Sequence, residues 1–362
     1  MIKKTREIFA GLADTGVMLP LLVALSVTGQ VNAVLSFIFI GSFYIIWSYR
    51  YNSIIAVQPL KSFCAAAIAM KIAPETLRIE AAIIATIFLI TAYPPFMDWI
   101  KKYCSMPIIR GIQISTGCLL IRNGVNYPSL DMIGWTVLIA VVILLISRLT
   151  RFPVLLLVVL GGAIVGMNYA CGMPTKSIVF AKTGIFEAFM MLVLPQIGLS
   201  VGNAMIATED TAKVYFGDKA YRLKASSLSL SMAIMNYFAA IFGTLPLCHG
   251  CGGMTAHYRT GGRDKITTIA AGLCYVLLGI LVWLFGIKLV QAFPFILLNA
   301  LLVFVGLEHI LLGKDLRGRG ILIAGIVVGG YFLTNNIGYA FIIGIILELI
   351  IKQVTINCKK TK

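Results

Sequence analysis

The sequence has few charged residues and no long polar stretch. Only 12% of its 362 residues are Asp, Glu, Lys or Arg, whereas 59% are hydrophobic, and Asp and Glu together number 14. Such a composition excludes a soluble globular protein and leaves no room for a large soluble domain. The nucleotide-binding pattern GxxxxGK[ST] does not occur, so nothing indicates ATP-driven work. The sequence therefore predicts an all-α polytopic membrane protein.

Residues that bind metals or act as nucleophiles rarely occur at the spacing that a metal site or a catalytic site requires. The eight cysteines lie in or beside apolar runs, apart from Cys358, which favours reduced thiols. Cys248, His249 and Cys251 lie close together, but a structural zinc site needs four ligands at wider spacing. The same residues are the only hint of a nucleophile beside a base. We therefore predict no metal, no cofactor and no enzyme.

Apolar runs divide the chain into fourteen candidate membrane segments. They lie near 8–27, 32–49, 57–70, 79–96, 105–121, 132–147, 152–169, 184–207, 227–244, 248–258, 266–287, 289–311, 320–334 and 336–351. A crossing needs about 20 residues, so the third and tenth are too short to span as single helices. The first segment continues past Leu25 without a small-residue cleavage site, which predicts a retained helix rather than a signal peptide.

The excess of 30 Lys and Arg over 14 acidic residues is explained by topology rather than by nucleic acid binding. With the N-terminus inside, 23 of the 30 are assigned to the cytoplasmic loops and tails, with Arg110 near the cytoplasmic end of its segment counted among them. Six are assigned to the outer side, and Lys61 remains inside a segment. Basic residues collect on the cytoplasmic side of membrane proteins. We therefore predict a multi-pass protein of the cell membrane, embedded in the lipid bilayer, with both termini cytoplasmic.

The stretch Leu245–Arg263, LPLCHGCGGMTAHYRTGGR, interrupts the apolar pattern with glycines. Pro246 ends one segment, and the glycines expose backbone where a short helix begins. Irregular backbone at membrane depth is tolerated where it is buried in protein or lines a wet cavity, and a helix N-terminus favours anions. The candidate anion ligands here are Cys248, His249, Gly250, Cys251 and Gly252.

The other short segment, near 57–70, has a similar start. Pro59 suits the first turn of a helix, so Gln58, Lys61 and Ser62 should lie at the positive end of its dipole. One interpretation of Lys61 is that it reaches to a lipid headgroup. The alternative, which its position after polar and proline residues favours, is that it faces substrate.

Two longer segments carry further candidates. Gln196, Ser200 and Asn203 are spaced by four and three residues, which places them on one helical face. They either line a cavity or bond to neighbouring helices. Asp14, in the first segment, is either a functional intramembrane carboxylate or an interfacial acid at a helix end.

The order of segments repeats. A long proline-containing segment, an ordinary one and a short helix occur at 8–70 and again at 184–258, seven segments later, so the two copies must have opposite orientation. Inverted repeats that bind substrate between paired broken helices are typical of secondary transporters. The repeats are predicted near 7–170 and 184–353, within one transporter domain, 1–362.

The residues also resemble a known family, the SulP-related molybdate/sulfate permeases, and within it the molybdate transporter branch. The matching stretches are DTGVMLP (14–20), VQPLKS (57–62), PIIRGIQ (107–113), LPQIGLSVGNAMIA (194–207) and FGTLPLCHGCGGMTAHYRTGGR (242–263). The resemblance implies a seven-plus-seven inverted repeat and an oxyanion held between the third and tenth helices. It further implies a core, about 7–96 and 184–287, that moves against a gate, about 105–169 and 289–351.

Two features depart from the broader family. Gly198, Leu199 and Ser200 stand where the branch usually has Pro-Leu-Thr, and the chain ends soon after its last segment. The second feature predicts that no C-terminal regulatory domain is present, as in the molybdate branch.

These patterns predict a secondary transporter that imports a tetrahedral oxyanion, molybdate before sulfate or tungstate. Moving a dianion into a cell with a negative interior is opposed by about 2.3 kcal/mol per charge per 100 mV. We therefore expect transport to be coupled to a proton, with Asp14 as its carrier. A nucleobase permease of the same fold class is one alternative, although no acid lies between Glu187 and Glu209. A passive anion channel is another, and a homodimer is left open.

Overall fold

The computed structural model is helical through most of the part of the chain that it describes. That part comprises residues 2–101, 103–126, 129–149, 157–158, 161–162, 164–166, 179–286, 290 and 293–360. Its helices up to residue 149 are α1 (Ile2–Ala10), α2 (Thr15–Val27), α3 (Ala33–Tyr51), α4 (Lys61–Met70), α5 (Pro74–Thr91), α6 (Pro94–Lys101), α7 (Met106–Gly124) and α8 (Leu130–Leu149). From residue 185 onward they are α9 (Ile185–Ala220), α10 (Ala225–Phe242), α11 (Cys251–Arg259), α12 (Ile266–Phe285), α13 (Phe295–Leu311), α14 (Arg319–Thr334) and α15 (Ile337–Lys360).

Six of the described helices are long and apolar enough to cross a membrane. They are α3, α8, α9, α10, α12 and the span Phe295–Asp315, and α5 with α6 would add a seventh. The polytopic membrane fold is thus confirmed, while the count of fourteen segments stays a prediction. The predicted segment near 152–169 lies largely outside the described residues.

The outer faces of these helices are apolar. On α8, for example, Trp135, Leu138 and Leu145 are each more than half exposed. An apolar surface of this extent is unsuitable for water and suits a hydrocarbon environment. The hydrophobic pattern of the sequence therefore corresponds to lipid-facing helix surfaces.

The described helices pack into two groups. In one, α3 packs on α12 and α5 packs on α10; in the other, α7 packs on α13 and α14, and α14 packs on α15. Glycines allow the closest approaches, since a Cβ at Gly41 would meet the Gly272 carbonyl, and one at Gly117 would meet the Gly306 carbonyl. The predicted core and gate contain these same helices, and their relative motion stays a prediction.

The first predicted segment, 8–27, is not one helix. Helix α1 ends at Ala10, and α2 begins at Thr15. Between them Gly11 passes against the Thr267 carbonyl of α12, where no side chain would fit, and Thr15 Oγ1 donates to Leu12 O at 2.8 Å. The break places Asp14 directly before α2, rather than within a continuous helix.

Two other boundaries differ from the prediction. The fourth segment, 79–96, bends by 103° between α5 and α6, where Pro94 and Pro95 begin a new helix. The eighth segment, 184–207, continues to Ala220 as α9 and contains two π-helical stretches, Phe189–Val193 and Ser200–Ile206. Pro195 lies between them, and because proline lacks a backbone N–H it interrupts the regular ladder of hydrogen bonds.

The two short helices start beside each other. Strand β1 (Gln58–Pro59) pairs antiparallel with strand β2 (Leu247–Cys248), with Gln58 opposite Cys248, and each strand leads into a short helix, α4 or α11. On the other edge of β2, Asn236 Oδ1 accepts a hydrogen bond from the Leu247 N–H at 3.1 Å, and Asn236 Nδ2 donates one to the Leu247 carbonyl at 2.7 Å. The ribbon's polar backbone is thereby bonded within the protein, as the membrane interior requires.

Candidate functional site

A cavity of about 810 Å³ lies where α4 and α11 begin. Its walls come from both helix groups: the ends of the ribbon, the loop before α2 and α9 on one side, and α7 and α13 on the other. Eight of the twelve residues that the sequence indicated line this cavity. They are Asp14, Gln58, Lys61, Gln196, Asn203, Cys248, Cys251 and Gly252.

Asp14 is buried at the cavity wall, with 4% of its surface exposed. Gln58 Nε2 donates to Asp14 Oδ1 at 2.5 Å, and the Tyr44 hydroxyl donates to Asp14 Oδ2 at 3.2 Å. Asp14 does lie at a helix end, but its carboxylate is held by two donors inside the protein, which favours the functional interpretation over the interfacial one. The loop between α1 and α2 brings it there.

Lys61 is the first residue of α4 and is half-buried. Within the described residues its ammonium group forms no hydrogen bond or ion pair, and it lines the cavity together with Asp14 and Cys248. A lysine reaching to a headgroup would extend along the outer surface toward lipid. The position at the cavity supports the substrate-facing interpretation instead.

The start of α4 is capped by a side chain. Gln196 Oε1 of α9 accepts the backbone N–H groups of Ser62 at 3.0 Å and Phe63 at 3.2 Å. Ser200 Oγ accepts from Gln196 Nε2 at 3.0 Å and so orients the amide. Ser62 and Ser200 are both fully buried behind the cavity, which contradicts their prediction as substrate ligands.

The start of α11 has no such cap. In the described part of the chain, the backbone N–H groups of Cys251 and Gly253 meet no acceptor, and the Gly252 N–H lies by the Cys251 thiol. Gly250, the residue before the helix, lies against the Gln58 side chain rather than at the cavity. Free N–H groups and the helix dipole are features that favour an anion, and the start of α11 has more of them uncapped than the start of α4.

His249 is also placed behind the cavity. Its Nδ1 lies 2.8 Å from the Ala56 carbonyl and its Nε2 lies 2.7 Å from Ser231 Oγ, while the rings of Trp47 and Tyr51 meet it edge to face. Both nitrogens are therefore occupied, and the ring is fully buried. The prediction of His249 as a direct ligand is not supported, because its hydrogen bonds fix the loop instead.

The two cysteines of the loop point to different partners. Cys248 Sγ donates to the Pro59 carbonyl at 3.3 Å, and Cys251 Sγ donates to Asn203 Oδ1 at 2.9 Å. Among the described residues, no three His, Cys, Asp or Glu side chains come together as metal ligands would. The side chains at the cavity are thus arranged for hydrogen bonding.

The opposite wall carries residues that the sequence analysis missed. Arg110 donates to both carboxylate oxygens of Asp315 and to Gln113 Oε1, and Arg148 pairs with Glu308 at 2.7 Å. All of them except Asp315 line the cavity, as does His309. Arg110 and Gln113 are spaced three apart in PIIRGIQ, a signal of one helical face that could have been used.

The rim of the cavity is basic. Arg6, Arg259 and Arg263 lie on the side of α1 and α11, facing Arg110 and Arg148. Arg263 is held over the Tyr258 ring with its guanidinium carbon 3.8 Å from the ring centre. All five arginines belong to loops or helix ends that the charge count assigns to the cytoplasm. On that assignment, the cavity opens toward the cytoplasmic side.

A polytopic fold in which two short helices start at one basic cavity defines a membrane transporter of anions. Comparison with protein families agrees: residues 6–120 and 188–308 match the family described as "Molybdate transporter of MFS superfamily". The chain belongs to this family.

Individual relatives extend the match over most of the chain. Molybdate transporter 2 of Arabidopsis thaliana is 23% identical over 97% of this chain and 88% of its own length. Molybdate transporter 1 of the same plant is 24% identical, covering 96% and 88%. A 34% identical match to molybdate transporter 1 of Chlamydomonas reinhardtii covers 42% of this chain and 30% of that protein.

Solved structures share the fold. The transmembrane domain of the cyanobacterial bicarbonate transporter BicA aligns over 96% of both chains, with a TM-score of 0.63 and 14% identity. The murine anion transporter Slc26a9, in its inward-facing state, aligns over 97% of this chain and 68% of its own, with a TM-score of 0.68 and 15% identity. The SulP-like resemblance is thus confirmed at the level of family and fold.

Replacing Gly253 with alanine should impair the site. An added Cβ would meet Asp14 Oδ2, Ala56 and Gln58 Nε2, whereas one at the neighbouring Gly252 would meet nothing within 4 Å. Overpacking costs about 1–3 kcal/mol. We expect the rate of anion uptake by Gly253→Ala to be about one tenth of the rate by Gly252→Ala. The two rates are measured in proteoliposomes at equal protein content. Equal rates in the two variants would contradict this packing of Asp14 against α11.

Proposed function

We propose that this protein is a proton-coupled importer of tetrahedral oxyanions, with molybdate as its first substrate. The observation that carries the proposal is that Lys61, Cys251 and Gly252, at the starts of α4 and α11, line one cavity. Charge-assisted and backbone N–H donors are the groups that bind oxyanions strongly. Cys251 and Asn203 complete the wall beside these donors.

The charges around the cavity support coupling to a proton. Lys61 contributes one positive charge, and each helix N-terminus contributes about half a charge. Asp14, when ionised, cancels one of these, which leaves about one positive charge for a dianion. One proton added near Asp14 restores the balance. A dianion and a proton would therefore bind better together than either does alone.

The substrate class follows from the donors and from the relatives. The curated relatives are named molybdate transporters, and molybdate, tungstate and sulfate are tetrahedral dianions that present the same acceptors. Nucleobase permeases of the same fold class resemble one another in placing the carboxylate that bonds the ring in the middle of the eighth segment, and here no acid lies between Glu187 and Glu209 on α9. The cavity wall thus favours an oxyanion over a nucleobase.

Transport would proceed by movement of the core group of helices against the gate group. The groups meet across the cavity, where α2 contacts α13 and α4 contacts α7. With the basic rim on the cytoplasmic side, as the charge count predicts, this arrangement would be the cytoplasm-facing state. Rocking of one group against the other around a fixed site is the usual route of alternating access.

Uptake of radiolabelled molybdate into proteoliposomes tests the function directly. We expect a proton gradient, with the outside acidic, to drive accumulation of labelled molybdate above its equilibrium level. Unlabelled tungstate and sulfate should compete with the label, and uracil should not. A passive channel would equilibrate the label without accumulation. Uptake of uracil with no oxyanion competition would favour the nucleobase permease and contradict the proposal.

Lys61→Ala should abolish uptake while the protein still inserts into the membrane. Removing one partner of a desolvated charge pair costs about 2–5 kcal/mol, or about 30-fold or more in affinity. Calorimetric titration with molybdate measures the loss. Lys71→Ala, at the exposed opposite end of α4, is the control. If Lys61→Ala binds as tightly as this control, Lys61 does not face the substrate.

Asp14→Asn should uncouple transport from the pH gradient. Asn keeps the shape and the hydrogen bonds to Gln58 and Tyr44 in part, but it cannot exchange a proton. We expect downhill molybdate exchange to survive and gradient-driven accumulation to disappear in proteoliposomes. Asp131→Asn, at an exposed site on α8, serves as the control. Uphill uptake by Asp14→Asn would exclude Asp14 as the coupling residue.

A further inference from the structure

One buried histidine is left out of the site described above. His257 lies in the last turn of α11 and is fully buried. Its Nδ1 lies 2.8 Å from the Ala10 carbonyl, at the break between α1 and α2. A carbonyl only accepts, so Nδ1 carries the hydrogen and Nε2 presents a lone pair. That Nε2 atom has no hydrogen-bond partner in the described part of the chain.

His249 provides the contrast within the same chain. It too bonds a backbone carbonyl through Nδ1, but its Nε2 is occupied by Ser231. Buried polar atoms are usually paired, because an unpaired one costs stability. The bare Nε2 of His257 is therefore an acceptor whose missing partner needs an explanation. Protonation would turn this atom into an N–H donor, which needs an acceptor such as a carboxylate.

Asp14 and His257 are close neighbours. Asp14 Oδ2 packs against Gly253, and His257 lies four residues later, on the same face of α11. Tyr44 connects the two, since its hydroxyl bonds Asp14 and its ring meets the His257 ring edge to face, with centroids 6.3 Å apart.

The elements packed around His257 carry several charged groups. The titratable and charged groups are Arg6, Glu7, Asp14, Tyr44, Lys61, Tyr215, Arg263 and Tyr275, together with Tyr49, Arg50 and Tyr51 on α3, Glu209, Asp210, Lys213, Asp218 and Lys219 on α9, Tyr258 and Arg259 on α11, and Asp264 and Lys265 before α12. Glu209 pairs with Lys213 at 2.7 Å. Glu7 is bonded to Thr267 and to the Arg263 backbone N–H, and Arg263 lies over Tyr258. Tyr44 stacks on Tyr275. Asp14 is the carboxylate left to balance a charge on His257.

We propose that His257 Nε2 is a second proton site, and that the coupling proton is shared between Asp14 and His257. This inference rests on the proposed proton coupling and assigns part of it to a residue outside the cavity wall. The step is a simple transfer: a proton from cavity water reaches Asp14, and then forms an N–H bond at His257 Nε2, making an imidazolium beside the carboxylate. No bond to carbon changes and no electron moves.

The position of His257 on α11 links this proton to the anion. The first turn of α11 offers its amides to the anion, and its last turn carries His257. A helix stabilises an anion at its N-terminus and a cation at its C-terminus. Six residues separate Cys251 from His257, or about 9 Å along the axis. Bound dianion and protonated His257 therefore attract each other along one short helix.

The chain contains only three histidines, which makes the site measurable. Protein with ¹⁵N-labelled histidine, reconstituted in lipid, would give three imidazole signals, assigned with His249→Gln and His309→Gln. We expect His257 to show a bare Nε2 at high pH and a protonated one at low pH. Saturating molybdate should move this transition to higher pH, because binding linkage is reciprocal. Asp14→Asn should move it to lower pH.

A transport assay complements the spectroscopy. In His257→Gln, we expect molybdate affinity to lose its increase at low pH while binding at high pH persists. A His257 signal that does not titrate, or that molybdate leaves unmoved, would overturn the inference even if gradient-driven uptake is intact. If the wild-type protein shows no gradient-driven uptake at all, proton coupling as a whole is refuted instead. Because the spectra use wild-type protein, the test does not depend on the folding of His257→Gln.

Discussion

Backbone polar groups inside a membrane must find partners within the protein, and the site depends on how this is done. The ribbon Gln58–Pro59 with Leu247–Cys248 uses its own strands and Asn236, and Gln196 caps the start of α4. The start of α11 differs, because it has no side-chain cap. In the proposed function, the anion would be bound by donors that the fold does not use for itself.

Much of this arrangement could be predicted from Pro59, from the glycines after Cys248, and from the isolated Lys61, because each marks a helix start at membrane depth. The directions of individual side chains could not. Helical periodicity ends where the backbone becomes irregular, so nothing in the sequence showed that His249 turns inward while Gln58 meets Asp14. Arg110 and His309 belong to distant helices, and only the packing of α7 and α13 brings them to the same cavity. The break before Asp14 depends on contact with α12, which local sequence does not encode.

The charges of the cavity form a connected set. Asp14 contacts Gln58 of the ribbon and Tyr44 of α3, and it packs against Gly253 of α11. Lys61 faces the same space from α4. A change of charge on Asp14 is therefore felt at both short helices, and occupation of the α11 amides by an anion is felt at Asp14. In the proposed mechanism, proton and anion would be coupled through these contacts without a long-range conformational signal, because charges interact more strongly inside a protein than in water.

The ribbon also has a thermodynamic consequence. Because its two strands are paired, the starts of α4 and α11 are held together. The two parts of the proposed anion site would therefore move as one unit rather than apart from each other. In the proposed mechanism, the donors on α4 and α11 would meet the anion from either face of the membrane, whereas Arg110 and Gln113 on α7 would change their position relative to it. The donor set itself would then impose no direction on transport. Net flux would then follow the sum of the anion and proton gradients, and the same molecule would export its substrate whenever those gradients reversed.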